Sequence, residues 1–267
     1  MSEDSDLPQG TQSIARAVTM LRVLATRARF GWALSELATA AGLKKATAHR
    51  ILARLEHEGL VHRRGLGDHY FLGSLAGELS LAIPGFHDFI GEARGFAGEL
   101  ARKTGLVTVL SLRSGDHFVV AARVGSPRLK SELNEQGSYR PLVSTAGGNA
   151  LLITLPAARQ RAIVERNGRQ MASRGHTRID DCHAMWQRSR RLGFGSNFGD
   201  IAPGTNAVAV GVPSAGPAFI SVTLAGPDTQ LGVERCHALV PFLREQGDRL
   251  RAIAAQVHPG LYQPPTA

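Results

Sequence analysis

Cysteine is scarce in this chain of 267 residues, which contains only Cys182 and Cys236. Two thiols cannot build the disulfide network of a small secreted scaffold, so reduced cysteines in a cytosol are the plain interpretation. Long hydrophobic runs are also missing, because Arg, Gly, Pro or Asp interrupts every apolar segment before the ~18 residues of a membrane helix. The acidic residues 1–10 lack the pattern of a signal or transit peptide. We therefore expect a soluble cytoplasmic protein with no membrane partner.

The motifs of common enzymes are absent as well. The chain has no G-x-S-x-G elbow, no P-loop, no G-x-G-x-x-G fingerprint and no H-E-x-x-H motif. An enzyme acting in a C-terminal pocket remains an alternative, although the sequence shows no acid, base and nucleophile at a recognisable spacing. Two Cys-His pairs, Cys182-His183 and Cys236-His237, leave a metal or redox sensor as another alternative, although adjacent helical residues point about 100° apart. We expect no catalytic residue, no bound metal and no cofactor.

Positive charge is abundant and unevenly distributed. The chain has 31 Lys and Arg against 22 Asp and Glu, a formal charge of +9. Residues 11–72 contain ten basic and four acidic residues, a net charge of +6, and the 195 residues after position 72 carry a further +6. A dense basic segment before a longer, weakly charged one is typical of a nucleic-acid-binding module joined to a larger domain.

Residues 11–72 have the pattern of a winged helix-turn-helix. Apolar residues at spacings of three and four, with glycines at the helix ends, predict helices over 13–25, 34–41 and 44–58. Ser13 and Ser35 are the expected N-caps of the first two helices. The period then changes, and a basic hairpin is predicted with strands over 60–64 and 69–72 around a turn at 65–68.

The predicted third helix has an apolar side and a basic side. Its inner side carries Ala48, Ile51, Leu52 and Leu55, and its outer side Ala46, His49, Arg50, Ala53 and His57. Small outward residues allow deep insertion in a major groove, where Arg50 can bind a guanine edge and His49 a neighbouring base. Lys44, Lys45 and Thr47 are placed for phosphates, and Arg63 and Arg64 of the hairpin complete the predicted set. The expected partner is double-stranded DNA.

Four stretches of this module carry a resemblance to a known family: LSELA from Leu34, KATAHRIL from Lys45, EGLV from Glu58 and YFLG from Tyr70. They closely resemble the DNA-binding domain of the IclR family of bacterial transcriptional regulators. Ala46 departs from the family pattern, which usually has Ser there. The resemblance implies a linker helix that contributes to dimerisation, and an assembly that is a homodimer or a tetramer. A two-fold dimer doubles the number of base pairs that one wing domain contacts.

The rest of the chain predicts a linker helix over 73–85 and a second domain over 86–257, with tails at 1–10 and 258–267. Expected strands lie over 107–113, 117–122, 194–197, 207–212 and 218–224, and expected helices over 89–102 and near 147–155, 156–167, 180–192 and 231–257. Antiparallel hairpins among helices indicate an α+β domain rather than a doubly wound sheet. The expected fold is therefore α+β, with an N-terminal winged helix-turn-helix, a linker helix and a GAF-like effector-binding domain.

The resemblance extends to residues 11–257 through TAGGNALL from Thr145 and through Asp200, Pro203-Gly204 and Val212-Pro213. Thr145 can cap a helix whose Ala-Gly-Gly start either leaves N–H groups open to an anion or serves close packing. The resemblance implies effector contacts at Ala146, Gly147, Asn197, Ala207, Thr223 and Ala225. Some relatives have Asp, Cys and Ser at the last four of these positions, so a less polar pocket is expected, for a carboxylate with an apolar or aromatic body. The predicted function is a repressor or activator of a catabolic operon that senses a small organic acid or aromatic compound.

Overall fold

The computed structural model describes residues 11–28, 30–64, 69–125, 129, 135–173, 175 and 177–257. The chain folds into two compact units, Met1–Ala82 and Ile83–Ala267. Among the described residues, no helix combines the length and the apolar character that a membrane crossing requires.

The described residues of the first unit form four helices and a two-stranded hairpin. In chain order its elements are α1 (Gln12–Ala25), α2 (Leu34–Ala40), α3 (Lys45–His57), β1 (Val61–Arg64), β2 (His69–Leu72) and α4 (Ser74–Leu81). A left-handed Gly42, with φ of 67°, ends the turn that leads from α2 towards α3. Strands β1 and β2 pair antiparallel, and the main core of the unit includes Met20, Leu37 and Leu52. The three helices before the hairpin, together with the hairpin itself, form the predicted winged helix-turn-helix.

The predicted N-caps of the first two helices are wrong. Helix α1 has its N-cap at Thr11, whose carbonyl accepts the N–H groups of Ile14 and Ala15, so the helix begins before Ser13. Helix α2 has Ala33 at the cap position, and Ser35 lies inside its first turn. Buried Leu37 and Ala38 fix α2 in register instead, because packing of the apolar side outweighs a single cap hydrogen bond.

The second unit is an α+β domain built on one antiparallel sheet. Its helices are α5 (Phe86–Thr104), α6 (Ala146–Leu152), α7 (Ala157–Ser173), α8 (Ile179–Leu192) and α9 (Val233–Val257). Its strands are β3 (Val107–Ser114), β4 (His117–Val124), β5 (Tyr139–Pro141), β6 (Gly195–Phe198), β7 (Thr205–Gly211) and β8 (Ile220–Pro227). The strand order is β5-β4-β3-β8-β7-β6. The short strand β5 was not predicted, because three residues are too few to show an alternating pattern.

The sheet has an apolar core on each face. Helices α5 and α9 cover one face, where Leu110, Val222 and Leu224 are buried. Helices α6, α7 and α8 cover the opposite face, where Val109 and Phe118 belong to the second core. Successive strand residues point to opposite faces, so β3 and β4 contribute side chains to both cores.

Candidate functional site

Helix α3 has an exposed basic side in the first unit. Ala48, Leu52 and Leu55 are buried, whereas His49 and Arg50 are exposed, as the helical period predicts. Of the residues expected at phosphates, Lys44 and Lys45 are exposed at the start of the helix and Thr47 is half-buried. Five of the seven predicted DNA contacts thus lie on or next to one helix. Their contact with DNA stays a prediction.

The two arginines of the hairpin differ in their surroundings. Arg63 Nε donates to Glu56 Oε1 of α3 at 3.0 Å, and its guanidinium lies 5.8 Å from the Tyr70 ring. Arg64 is exposed at the end of β1, paired in register with His69. The predicted turn at 65–68 lies outside the described residues. Arg63 therefore contributes to the packing of the hairpin on α3, and both arginines are exposed.

The hairpin is fixed to the helices by backbone contacts. Trp32 and Tyr70 exchange two hydrogen bonds, with N to O distances of 3.0 and 2.9 Å, so residue 32 adds a bridge to β2. Arg27 lies 4.0 Å from the centroid of the Trp32 ring and forms an ion pair with Glu36 at 3.1 Å. These contacts fix β2 against the segment between α1 and α2.

A cavity lies in the second unit, on the sheet face covered by α6. All six residues implied as effector contacts line it: Ala146, Gly147, Asn197, Ala207, Thr223 and Ala225. The sheet brings them together because Asn197, Ala207 and Ala225 are direct neighbours across β6, β7 and β8. The empty volume is about 580 Å³ when the part open to solvent is included. Only about 50 Å³ of it can be occupied by the centre of a water molecule. The cavity is therefore narrow, and ligand contact by these residues stays a prediction.

The cavity is more polar than the sequence suggested. Arg140, Ser111, Ser144 and Thr205 also line it. Burial lowers the pKa of Arg140 to about 10, so the guanidinium remains charged at neutral pH. The sequence analysis did not include these residues because it took the contact positions from the family motifs. Those motifs do not show which strand residues face α6. The available signal for Arg140 was a basic residue directly before the Pro141-Leu142 motif.

The start of helix α6 is built for close packing. Thr145 caps the helix as predicted, since its Oγ1 accepts the N–H of Gly148 at 3.0 Å. A Cβ on Gly148 would lie 2.1 Å from the backbone oxygen of Leu142, and one on Gly147 would lie 2.6 Å from Thr223 Oγ1. Gly148 is therefore required by the backbone of Leu142, and Gly147 by a side chain of the cavity. These distances favour the steric explanation of the Ala-Gly-Gly start.

Two hydroxyl groups beside Gly147 lack hydrogen-bond partners among the described residues. They are Ser221 Oγ and Thr223 Oγ1, on the cavity face of β8, and both are buried. Leaving such a group unsatisfied costs about 1–3 kcal/mol. Thr223 is the group of the pair that lines the cavity.

Asn197 has a structural role besides its place in the cavity wall. Its Nδ2 donates to the carbonyl of Thr205 at 3.4 Å, and its Oδ1 accepts the N–H of Ile201 at 3.3 Å. The amide thus closes the loop between β6 and β7. In this loop burial raises the pKa of Asp200, but hydrogen bonds from Arg188 and from the Phe198 N–H lower it, and the net pKa lies below its usual range.

The positions of the two cysteines do not favour the alternative of a metal or redox site that uses both Cys-His pairs. Cys182 belongs to α8 and is buried in the core on one face of the sheet, whereas Cys236 belongs to α9 and is buried in the core on the other face. Burial raises the pKa of each thiol to about 11, which keeps both protonated and unreactive. In the part of the chain that the structure describes, no three His, Cys, Asp or Glu side chains are grouped to hold a metal ion.

Comparison with known domains gives two matches that together cover most of the chain. The domain described as bacterial transcriptional regulator IclR C-terminal matches residues 85–252, and the IclR helix-turn-helix domain matches residues 13–65. The chain belongs to the IclR family. The resemblance on which the sequence predictions rested is confirmed, and this IclR protein has the domains of a DNA-binding transcriptional regulator rather than those of an enzyme.

Individual relatives support this assignment. The HTH-type transcriptional regulator Rv1719 of Mycobacterium tuberculosis is 35% identical to this IclR chain over 59% of its length and 60% of the relative. The glycerol operon regulatory protein of Streptomyces coelicolor is 28% identical over 76% of this chain and 79% of the relative. An IclR homolog from Microbacterium hydrocarbonoxydans, solved in complex with 4-hydroxybenzoate, has a TM-score of 0.64 at 19% identity over 91% of this chain and 99% of that chain. The predicted α+β fold with an N-terminal winged helix-turn-helix is confirmed.

Proposed function

We propose that this IclR chain regulates a catabolic operon in response to a small organic acid or aromatic compound. The observation that carries the proposal is the cavity, because six positions implied by the family resemblance line one space together with Arg140. The glycerol operon regulator among its relatives agrees with a catabolic target, and the homolog crystallised with 4-hydroxybenzoate agrees with an organic acid as effector.

The DNA-binding half of the proposal rests on α3. Its exposed basic side, with Arg50 at the centre, enters the major groove, while Lys44, Lys45 and Arg64 contact phosphates. Residues 11–72 act as the DNA-binding domain, 73–85 as the linker and 86–257 as the effector-binding domain. Apolar side chains on the linker support a homodimer, since Leu79 is 56% and Leu81 is 69% exposed in the single chain. A tetramer forms by association of two such dimers.

Regulation follows from linkage between the two halves of a dimer. A ligand that binds one arrangement of the dimer more tightly shifts the population towards it, and this changes the spacing of the two α3 helices. The affinity for an operator with fixed half-site spacing then changes by the same factor as the affinity for the ligand.

The test uses the full chain and an operator selected by the protein itself from random duplex DNA. Fluorescence anisotropy of the labelled operator is measured with and without a panel of aromatic and aliphatic carboxylates, and thermal shift reports binding. We expect at least one acid to raise the melting temperature and change operator affinity, and Ala207→Leu, which narrows the cavity, to abolish both effects. Selection of no preferred sequence, or regulation unchanged in Ala207→Leu, would contradict the proposal.

A further inference from the structure

A second hollow of the second unit lies apart from the cavity under α6. We call it the arginine cleft, and its walls include Arg190 of α8, Phe194, and Arg244 and Asp248 of α9. Among the described residues, the cleft and the cavity share no lining residue. The centre of a water molecule can occupy about 450 Å³ of the cleft, against about 50 Å³ of the cavity. Known ligand sites have volumes of ~300–1,000 Å³, so the cleft has room for a small organic molecule.

Two glycines explain how two helices reach this cleft. Helix α8 ends at Gly193, whose left-handed φ of 72° turns the chain from the helix towards β6, so Arg190 lies in the last turn beside the cleft. On α9, Gly247 lies against Pro213, because a Cβ built on this glycine would be 3.7 Å from Pro213 Cδ. Arg244 precedes Gly247 by three residues and therefore lies on the same side of α9. The two arginines thus come from different helices and line one space.

The guanidinium groups of the cleft are free to bind an anion. Arg190 and Arg244 are exposed, and neither side chain forms a hydrogen bond, an ion pair or a ring contact with another residue that the structure describes. The acidic residue of the cleft, Asp248, is also exposed and forms an ion pair with Arg251 at 3.5 Å. Its negative charge is therefore offset from outside the cleft. The lining residues themselves carry an excess of positive charge.

The cleft combines this charge with an apolar wall, to which Ile153, Phe194 and Val210 contribute. Such a wall suits the carbon body of an organic anion. One guanidinium fork is enough for the two oxygens of a carboxylate. Two forks from two helices suit a group with three oxygens and a charge of about −1.5 to −2, which are the properties of a phosphate monoester at neutral pH.

We propose that the arginine cleft is a second ligand site, which binds a small phosphate monoester with its phosphate group between Arg190 and Arg244. The site goes beyond the proposed function and does not depend on it, because its lining residues are separate from those of the cavity. Helix α6 lies beside both spaces, since Ala146 and Gly147 line the cavity and Ala150 lines the cleft. The bound ester therefore contacts a helix that also forms a wall of the cavity.

The test measures dissociation constants by calorimetry with the full chain. The probes are phenyl phosphate, glycerol 3-phosphate and glucose 6-phosphate, each compared with the alcohol and the sulfate ester of the same body. We expect at least one phosphate to bind about tenfold more tightly than its sulfate ester, which carries a single charge, and still more tightly than its alcohol. Arg190→Met and Arg244→Met should each weaken that phosphate about tenfold or more, whereas Arg190→Lys should keep part of the affinity because the charge remains.

Two control variants locate the binding. Arg191→Met removes an exposed arginine from the same helical turn as Arg190, and this arginine does not line the cleft. It should leave the phosphate affinity within about twofold, and so should Ala207→Leu, which narrows the cavity. Melting temperatures of the ligand-free variants show whether each one folds.

Four results would overturn the site. They are no binding of any phosphate at about 5 mM, equal affinity for phosphate and sulfate esters, unchanged affinity in both arginine variants of the cleft, and an equal loss in Arg191→Met. A loss in Ala207→Leu without one in Arg190→Met would place the phosphate in the cavity and would also overturn it. Each of these outcomes leaves the proposed function to its own test with carboxylates and operator DNA.

Discussion

Arg188 on α8 donates hydrogen bonds to both carboxylate oxygens of Asp200, with 3.0 Å between Nη1 and Oδ1. The same arginine donates through Nε to Ser196 at 3.1 Å and lies over the Phe198 ring. Asp200 belongs to the loop between β6 and β7 that supplies Ile201 and Ala202 to the cavity wall. The position of that wall therefore depends on an ion pair whose two residues do not line the cavity.

Replacement of Asp200 should destabilise the second unit in a pH-dependent manner. We expect Asp200→Asn to lower the free energy of unfolding by about 2 kcal/mol at neutral pH, because it leaves the half-buried Arg188 without its counterion. The pKa of Asp200 is held below its ordinary value in the folded state. The stabilisation is thus complete above the ordinary pKa and is lost as the pH falls through the folded-state pKa.

Unfolding midpoints across a pH series check this expectation. The two proteins should differ most near neutrality and converge in acid. Asp248→Asn is the matched control, since its ion pair with Arg251 at 3.5 Å is exposed and should contribute little. A difference between wild type and Asp200→Asn that persists below the folded-state pKa would contradict the assignment.

Arg50 should determine base preference. Replacement with Ala is expected to weaken operator binding by about 1–3 kcal/mol and to relax the preference at one or two base pairs. Arg54→Ala is the comparison on the same helix, because Arg54 is already paired with Glu58. Binding curves on the selected operator and on single-base variants distinguish the two. Unchanged affinity and selectivity in Arg50→Ala would remove this residue from base reading.

Lys45 should act through phosphate charge alone. Lys45→Ala is expected to weaken binding to all sequences by a similar factor and to reduce the slope of log affinity against log salt by about one. The measurement is a salt titration on the operator and on an unrelated duplex. A sequence-dependent loss would instead place Lys45 at a base edge.

Two helical glycines should respond to Ala in opposite directions. Gly148→Ala is expected to destabilise the fold by about 1–3 kcal/mol, because its Cβ would lie 2.1 Å from a backbone oxygen. Gly95 is exposed in α5 and has no atom within 4 Å of a built Cβ, so Gly95→Ala should stabilise by about 0.5–1 kcal/mol. Thermal melts decide the signs. Equal effects at the two positions would show that the contact with Leu142 relaxes at little cost.

The two thiols should be inert in the native protein. Burial raises the pKa of Cys182 and Cys236 to about 11, so little thiolate exists at neutral pH. We expect a coloured thiol reagent to modify neither cysteine until denaturant is added, and a mild oxidant to leave operator binding unchanged. Rapid modification with loss of DNA binding would reinstate a redox role.

Sequence patterns predicted the features that depend on neighbours along the chain. The two sides of α3 followed from the helical period, because His49 and Leu52 are assigned by spacing alone. Arg140 was missed, since its place in the cavity depends on the pairing of β5 with Phe118 of β4. The ion pair of Arg63 with Glu56 was missed for the same reason. Contacts between elements depend on strand order and register, which local spacing does not encode.

Along β8, the residues that face the cavity alternate with the residues that pack in the hydrophobic core. Ser221, Thr223 and Ala225 face the cavity side of the sheet, whereas Val222 and Leu224 are buried in the opposite core. Substitution at every second residue can therefore change which ligand the cavity binds, while the hydrophobic core stays intact. A directed-evolution library for a biosensor would randomise the odd-numbered positions of this strand and leave the even-numbered ones alone.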